Sequence, residues 1–224
     1  MKLMRTTALA ALLMASLPAL AVQPFVADYQ ANVKGTIKAT AQMTLAPAGG
    51  DRWNYVLSVN SPVASVRQST VFEARGNAWR PLSGSDSTTV LLKKSQKNAT
   101  YDWGKGEASW SGDVKPERAG PVKLREGDMD AMLLNLAIVR DVGEGKALNY
   151  RLVENGRARP QNYRMLGTET ITVGGKARTA TKVSRSSDDK QTIVWIVEGL
   201  PVPARILQTR DGNDELDLVL KSVR

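Results

Sequence analysis

One stretch limits the possible folds more than any other: Asp128-Met129-Asp130-Ala131-Met132-Leu133-Leu134-Asn135-Leu136-Ala137-Ile138-Val139-Arg140. It is the one convincing helix in a chain that otherwise reads as strand after strand. Asp128 suits the N-cap, because its carboxylate can accept bonds from the first free backbone N–H groups. Asp130 falls in the first turn, where the helix dipole favours negative charge. Arg140 stands in the last turn and Gly143 just beyond, as a helix C-terminus prefers. Between these ends Met129, Met132, Leu133 and Leu136 form one face, and Ala131, Leu134 and Ile138 cover much of the rest. A helix apolar on most of its circumference belongs inside something. It is well short of the roughly 20 residues that span a bilayer. The stretch is expected to be a plug buried against, or inside, a curved β-sheet.

The rest of the chain alternates with period two. Phe25, Ala27, Tyr29, Ala31 and Val33 alternate with polar Asp28, Gln30 and Asn32, and Ile37 to Leu45 repeats the pattern across a turn at Gly35-Thr36. Such alternation marks strands with one buried and one wet face, usual in antiparallel sheets. Trp53, Tyr55, Leu57 and Val59 continue the inward face. Further strands are expected near 66–74, 87–94, 98–103 and 107–111. Lys115 to Gly127 reads as an irregular crossing. Beyond the helix, Gly174-Gly175 between β-branched runs predicts a tight hairpin, Gln191–Val197 carries Trp195, and Asp211-Gly212-Asn213 turns the chain into its last strand. Eleven or twelve strands, short turns and one central helix predict a mainly β fold. It is one curved antiparallel sheet, closed or half-closed in barrel-like fashion, around a buried helix at about 128–140. No polar linker or repeat divides it, so residues 22–224 form one domain.

The first 21 residues have the pattern of a cleavable signal peptide. Lys2 and Arg5 precede an apolar run from Ala8 to Leu17, Pro18 breaks it, and Ala19-Leu20-Ala21 is the small-x-small pattern read by signal peptidase. Cleavage after Ala21 and residence in the bacterial periplasm are expected. The chain has no cysteine, so stability must come from the core alone. Of 31 basic residues, 29 remain after cleavage against 22 acids, about +7. This balance favours anionic envelope partners, lipid head groups or acidic polymers, over nucleic acid. The densest basic groups are Lys93-Lys94-Lys97 and Arg157-Arg159-Arg164, both short and interrupted.

Histidine is absent too, which removes the commonest general base, and with cysteine gone also the usual zinc ligands and the thiolate nucleophile. No Ser-x-x-Lys leads a helix. The Asp128/Asp130 pair is explained by capping, and Asp211, Asp214 and Glu215 by turn chemistry rather than a calcium loop. No catalytic residue, metal site or cofactor is expected. If Tyr101 and Trp110 face each other across a two-residue hairpin, the pair could be a sugar platform or plain core. Met43, Met129, Met132 and Met165 would give the interior adaptable surfaces. The ligand-contacting candidates are the inward apolar residues Phe25, Tyr29, Trp53, Tyr55, Met132, Leu133, Leu136 and Trp195.

Phe25-x-Ala27-x-Tyr29 followed by Gly35, an Asp-led helix ending in Arg140, then Trp195 and Pro203-x-Arg205-Ile206, resemble the domain of unknown function family 3108, exported bacterial proteins. The likeness runs from about Phe25 to the C-terminus. The helix start, Asp128-Met129-Asp130-Ala131, departs from the family's Asp-Pro-Leu-Ser-like form. The resemblance implies an envelope protein with a barrel-like fold and brings no catalytic residues. At fold level the architecture also looks like periplasmic lipoprotein carriers and receptors, half-barrels closed by helices. The leading expectation is a non-enzymatic periplasmic carrier for an apolar or amphipathic envelope molecule, a lipid or lipoprotein acyl chain. The alternatives are an envelope interaction protein contacting anionic polymers through a basic surface, and a glycan enzyme using Asp102 or Asp128.

Overall fold

A computed structural model describes residues 22–75 and 78–224; the expected signal peptide lies outside the described residues. The first eight strands are β1 (Phe25–Val33), β2 (Ile37–Pro47), β3 (Arg52–Asn60), β4 (Ala64–Arg75), β5 (Ala78–Val90), β6 (Lys93–Asp102), β7 (Glu107–Gly112) and β8 (Val122–Lys123). A 3-10 turn, Pro116–Arg118, interrupts the crossing between β7 and β8. Then follow β9 (Asp128–Met129), the helix α1 (Ala131–Gly143), β10 (Asn149–Glu154), β11 (Arg157–Asn162), β12 (Arg164–Val173), β13 (Lys176–Ser187), β14 (Lys190–Ile196), β15 (Arg205–Arg210) and β16 (Asn213–Val223).

Thirteen of these strands form one sheet in the order β12-β13-β14-β15-β16-β1-β2-β3-β4-β5-β6-β7-β8; β11, β10 and β9 form a second. Every neighbour in the large sheet is antiparallel, and its last strand in sequence lies beside its first. Val26 and Arg224 exchange backbone bonds of 2.8 and 3.0 Å there. The sheet does not close, because its edges β12 and β8 do not pair with each other.

The alternation in β1 and β2 faces inward as expected. Phe25, Ala27, Tyr29 and Ala31 are buried, as are Ala39, Ala41, Met43 and Leu45. One core cluster unites side chains from β1–β5, from β13–β16 and from α1, so the sheet curls around the helix. Met132, Leu133, Leu134, Leu136, Ala137 and Ile138 of α1 are all buried. Removing this much apolar surface from water is the main stabilising contribution, on the order of 2 kcal/mol per large side chain.

Four local expectations are corrected. The helix cap lies two residues later than expected: Asp130 caps it by accepting from Leu133 N at 2.8 Å, while Asp128 lies in β9, paired in parallel with β10. The stretch at 87–94 is not one strand, since β5 turns into β6 at Leu91-Leu92. The loop from β6 to β7 has four residues, so Tyr101 pairs with Ala108 and Ala99 with Trp110. The two rings meet diagonally instead, edge to face at 6.2 Å. Met165 is no interior residue: it sits on the edge strand β12, 57% exposed.

Candidate functional site

The N-terminus of α1 sits over a cavity of about 40 Å³, open to solvent, between β4, β5, β6 and the end of β10. That volume holds a few waters or one small polar group. Its walls carry three carboxylates, Asp86, Asp130 and Glu154, with Lys97, Gln68, Thr70 and Asn98 beside them and Tyr101, Trp110 and Met132 as the apolar part of the lining. Each element delivers its side chain through strand alternation. Gln68 and Thr70 on β4 point the same way, as do Gly84 and Asp86 on β5, and Lys97, Ala99 and Tyr101 on β6.

Asp130 is the most constrained of the acids. Its Oδ1 accepts from Leu133 N as the helix cap, and its Oδ2 accepts from the Thr70 hydroxyl. Burial pushes its carboxyl up to about 6, against the lowering effect of those two bonds, and Glu154 and Asp86 raise it further. Glu154 is also raised, chiefly by burial and then by Asp86. Burial raises Asp86, while Gln68 and Lys97 lower it. The Tyr101 phenol is raised well above its ordinary value, first by burial and then by the nearby acids, and it donates to the Val153 carbonyl at 3.0 Å. The site is therefore one where negative charge is crowded and incompletely balanced. Among the described residues no three acidic side chains group closely enough to ligate a metal ion.

Gly84 faces the Asp130 carboxylate. A Cβ at that position would lie 3.8 Å from Asp130 Oδ2, 3.6 Å from Ala99 Cβ and 3.5 Å from the Ser69 carbonyl. A methyl group would fit there in ordinary contact and narrow the cavity.

The residues singled out from sequence are divided. Phe25, Tyr29, Tyr55, Met132, Leu133 and Leu136 come together in the main core, with Trp53 packed partly buried against it. Of these, Met132 also lines the cavity. Trp195 points to the other face of β14 and joins Ala180, Val197 and Ala204. There the Arg205 guanidinium stacks 4.8 Å from its ring and binds Asp217 through two bonds of 2.8 and 2.9 Å. Asp102 is half-buried and fixes a turn by accepting from Lys105 N at 3.0 Å. Asp128 is buried, pairs with Arg151 at 2.5 Å and accepts from Arg125 N at 2.8 Å, leaving its Oδ1 without a hydrogen-bond partner. Asp86, Thr70 and Lys97 come from the consecutive strands β4–β6, but Glu154 comes from β10 and Asp130 from the helix cap, so no local pattern in the sequence joins them.

The family model described as a protein of unknown function, DUF3108, matches residues 28–219. A β-barrel-like protein of domain of unknown function DUF1849 from Brucella abortus superposes with a TM-score of 0.48 at 11% identity, covering 89% of this chain and 96% of that one. MucB superposes with a TM-score of 0.34 at 10% identity over 92% of this chain; the chain spans about half of MucB, 54%. No curated protein sequence matches. No helix among the described residues is long and apolar enough to cross a membrane.

Proposed function

We propose that this chain, which belongs to the DUF3108 family by the match over residues 28–219, is a non-catalytic periplasmic binding module for an amphipathic cell-envelope molecule. The observation that carries the reading is a junction of two surfaces. Met132 belongs both to the acidic cavity and to the apolar core face of α1. An amine-bearing head group in the cavity would neutralise carboxylates that burial and mutual repulsion now hold above their ordinary range. Its ammonium would also meet the Tyr101 and Trp110 rings. The apolar part, a lipid tail or lipoprotein acyl chain, would take the sheet surface that α1 covers, against Tyr29, Tyr55, Leu133 and Leu136. In this reading α1 is a lid, with Gly127 and Gly145, at φ 83° and 65°, as its flexible ends. Export through the signal peptide at residues 1–21 belongs to the same reading.

Native mass spectrometry of the protein purified gently from periplasm tests it. The expected result is a discrete added mass that organic extraction removes and that fragments as a lipid. Gly84→Ala should lower the occupancy of that mass without lowering Tm, because the added methyl group fits the fold but occupies the cavity. A bare mass that stays bare after incubation with envelope lipids would sink the proposal.

A further inference from the structure

The turns β3–β4 and β5–β6 lie at the same end of the sheet, tied together by a backbone bond from Leu91 N to the Val63 carbonyl at 3.1 Å. Their tip is apolar and in water. Leu92 is 100% exposed, Leu91 74%, and Val63 and Val90 47% each. Single exposed hydrophobic residues need no explanation, but four at one tip form a patch. The backbone adds a second cost. Leu91 has φ 53° in a two-residue hairpin turn, at a position where such turns take glycine or asparagine. A turn chosen for stability alone would not place leucines there. The charges nearest the leucines are positive: Lys93 and Lys94 follow them directly, and the neighbouring acids, Asp113 on Gln96 N and Asp86 opposite Lys97, lie further along the strands. Lys93 and Lys94, exposed beside the leucines, form no ion pair among the described residues.

We propose that this tip docks on an anionic phospholipid bilayer, with Leu91 and Leu92 entering the boundary between head groups and acyl chains and Lys93 and Lys94 held at the phosphates. The complementarity is twofold. Apolar side chains gain from leaving water, and the lysines meet negative charge at the depth where their stems place the ammonium groups. Both contributions are needed, because a soluble polyanion would satisfy the lysines and leave the leucines exposed. This inference does not depend on a ligand in the cavity.

Flotation of the mature protein with vesicles of phosphatidylglycerol and phosphatidylethanolamine tests it, with phosphatidylcholine vesicles as the neutral control. Wild type should float with the anionic vesicles and much less with the neutral ones. Leu91→Gly combined with Leu92→Asn installs the residues the turn prefers, so Tm should hold or rise while partitioning falls by about tenfold or more. Lys93→Gln with Lys94→Gln should weaken it by about fivefold per lysine at low salt and less at high salt. Equal flotation of the Gly-Asn variant and wild type would overturn the proposal. So would a wild type that binds a soluble anionic polymer in place of vesicles, with loss only in the lysine variant.

Discussion

Asp130 caps a helix with one oxygen and walls a cavity with the other. Its carboxyl is raised from 3.8 to about 6, so between those values the folded chain holds a proton that the unfolded chain has released. Its contribution to stability is then fully present below about pH 4 and is lost as pH rises through about 6. Asp130→Asn keeps a good cap and removes the charge. Urea melts of the two proteins should show the variant gaining on wild type between pH 4 and 6, then a constant difference above. Asp130→Ala instead loses the cap and the acceptor of Thr70, costing about 1–2 kcal/mol relative to Asp130→Asn at any pH. Asp128, two residues earlier, answers to different physics. Its truncation to alanine strips Arg151 of its partner in a largely buried pair and should cost about 3 kcal/mol in the same melts. The family-like residues are also structural at this scale. The Tyr29 hydroxyl donates to the Pro203 carbonyl at 2.7 Å, and Arg140 stacks over Trp79 at 4.3 Å.

Helix α1 is the element around which the core is built. Leu133 is fully buried in its first turn, so Leu133→Asn places an unsatisfied amide in the core and leaves a gap. The expected loss is at least about 3 kcal/mol, read from chemical denaturation. Both ends of the helix are clipped by side chains: Thr70 on Asp130, and the Tyr150 hydroxyl on Asp141 at 2.9 Å. The existence and burial of this helix were legible, because an apolar circumference has few other uses. Its start was not, because Asp128 and Asp130 are equally good caps locally. The choice is made by β9 pairing with β10, a parallel contact of two residues that leaves no periodic trace. The β1–β2 hairpin and the Gly174-Gly175 turn were legible from alternation and glycine. The turn at Leu91-Leu92 was not, since its residues are those of a strand interior. Met165 misled because residue type alone suggested an interior place, whereas β12 packs on core through Ile171 and Val173 at its far end and leaves Met165 in water. The cavity was invisible because no local pattern brings Asp86 to Glu154.

At the scale of the whole molecule, the open sheet has two edges to guard. One is β8, only two residues long; the other, β12, carries Arg164 and Glu169 and a bulge at Met165 to Gly167. Short edges, charge and bulges are the usual protection against edge-to-edge pairing. Asp86, at the cavity, lies four residues inward from Val90 on β5, about 13 Å along the strand. A tip resting on a bilayer would thus hold the cavity close above the head groups. The pairing of β16 with β1 sets the folding problem. Eleven of the twelve pairings in the large sheet join consecutive strands and only β16–β1 joins the two ends of the chain, so closing that pairing is expected to be the slow step of folding. Removing residues 213–224 takes out an interior strand and should abolish the folded circular dichroism spectrum. The same adjacency makes the sequence cyclic in all but the covalent bond. A short linker from Arg224 back to Val22, with new termini opened at Gly174-Gly175, would give a circular permutant that retains every strand pairing.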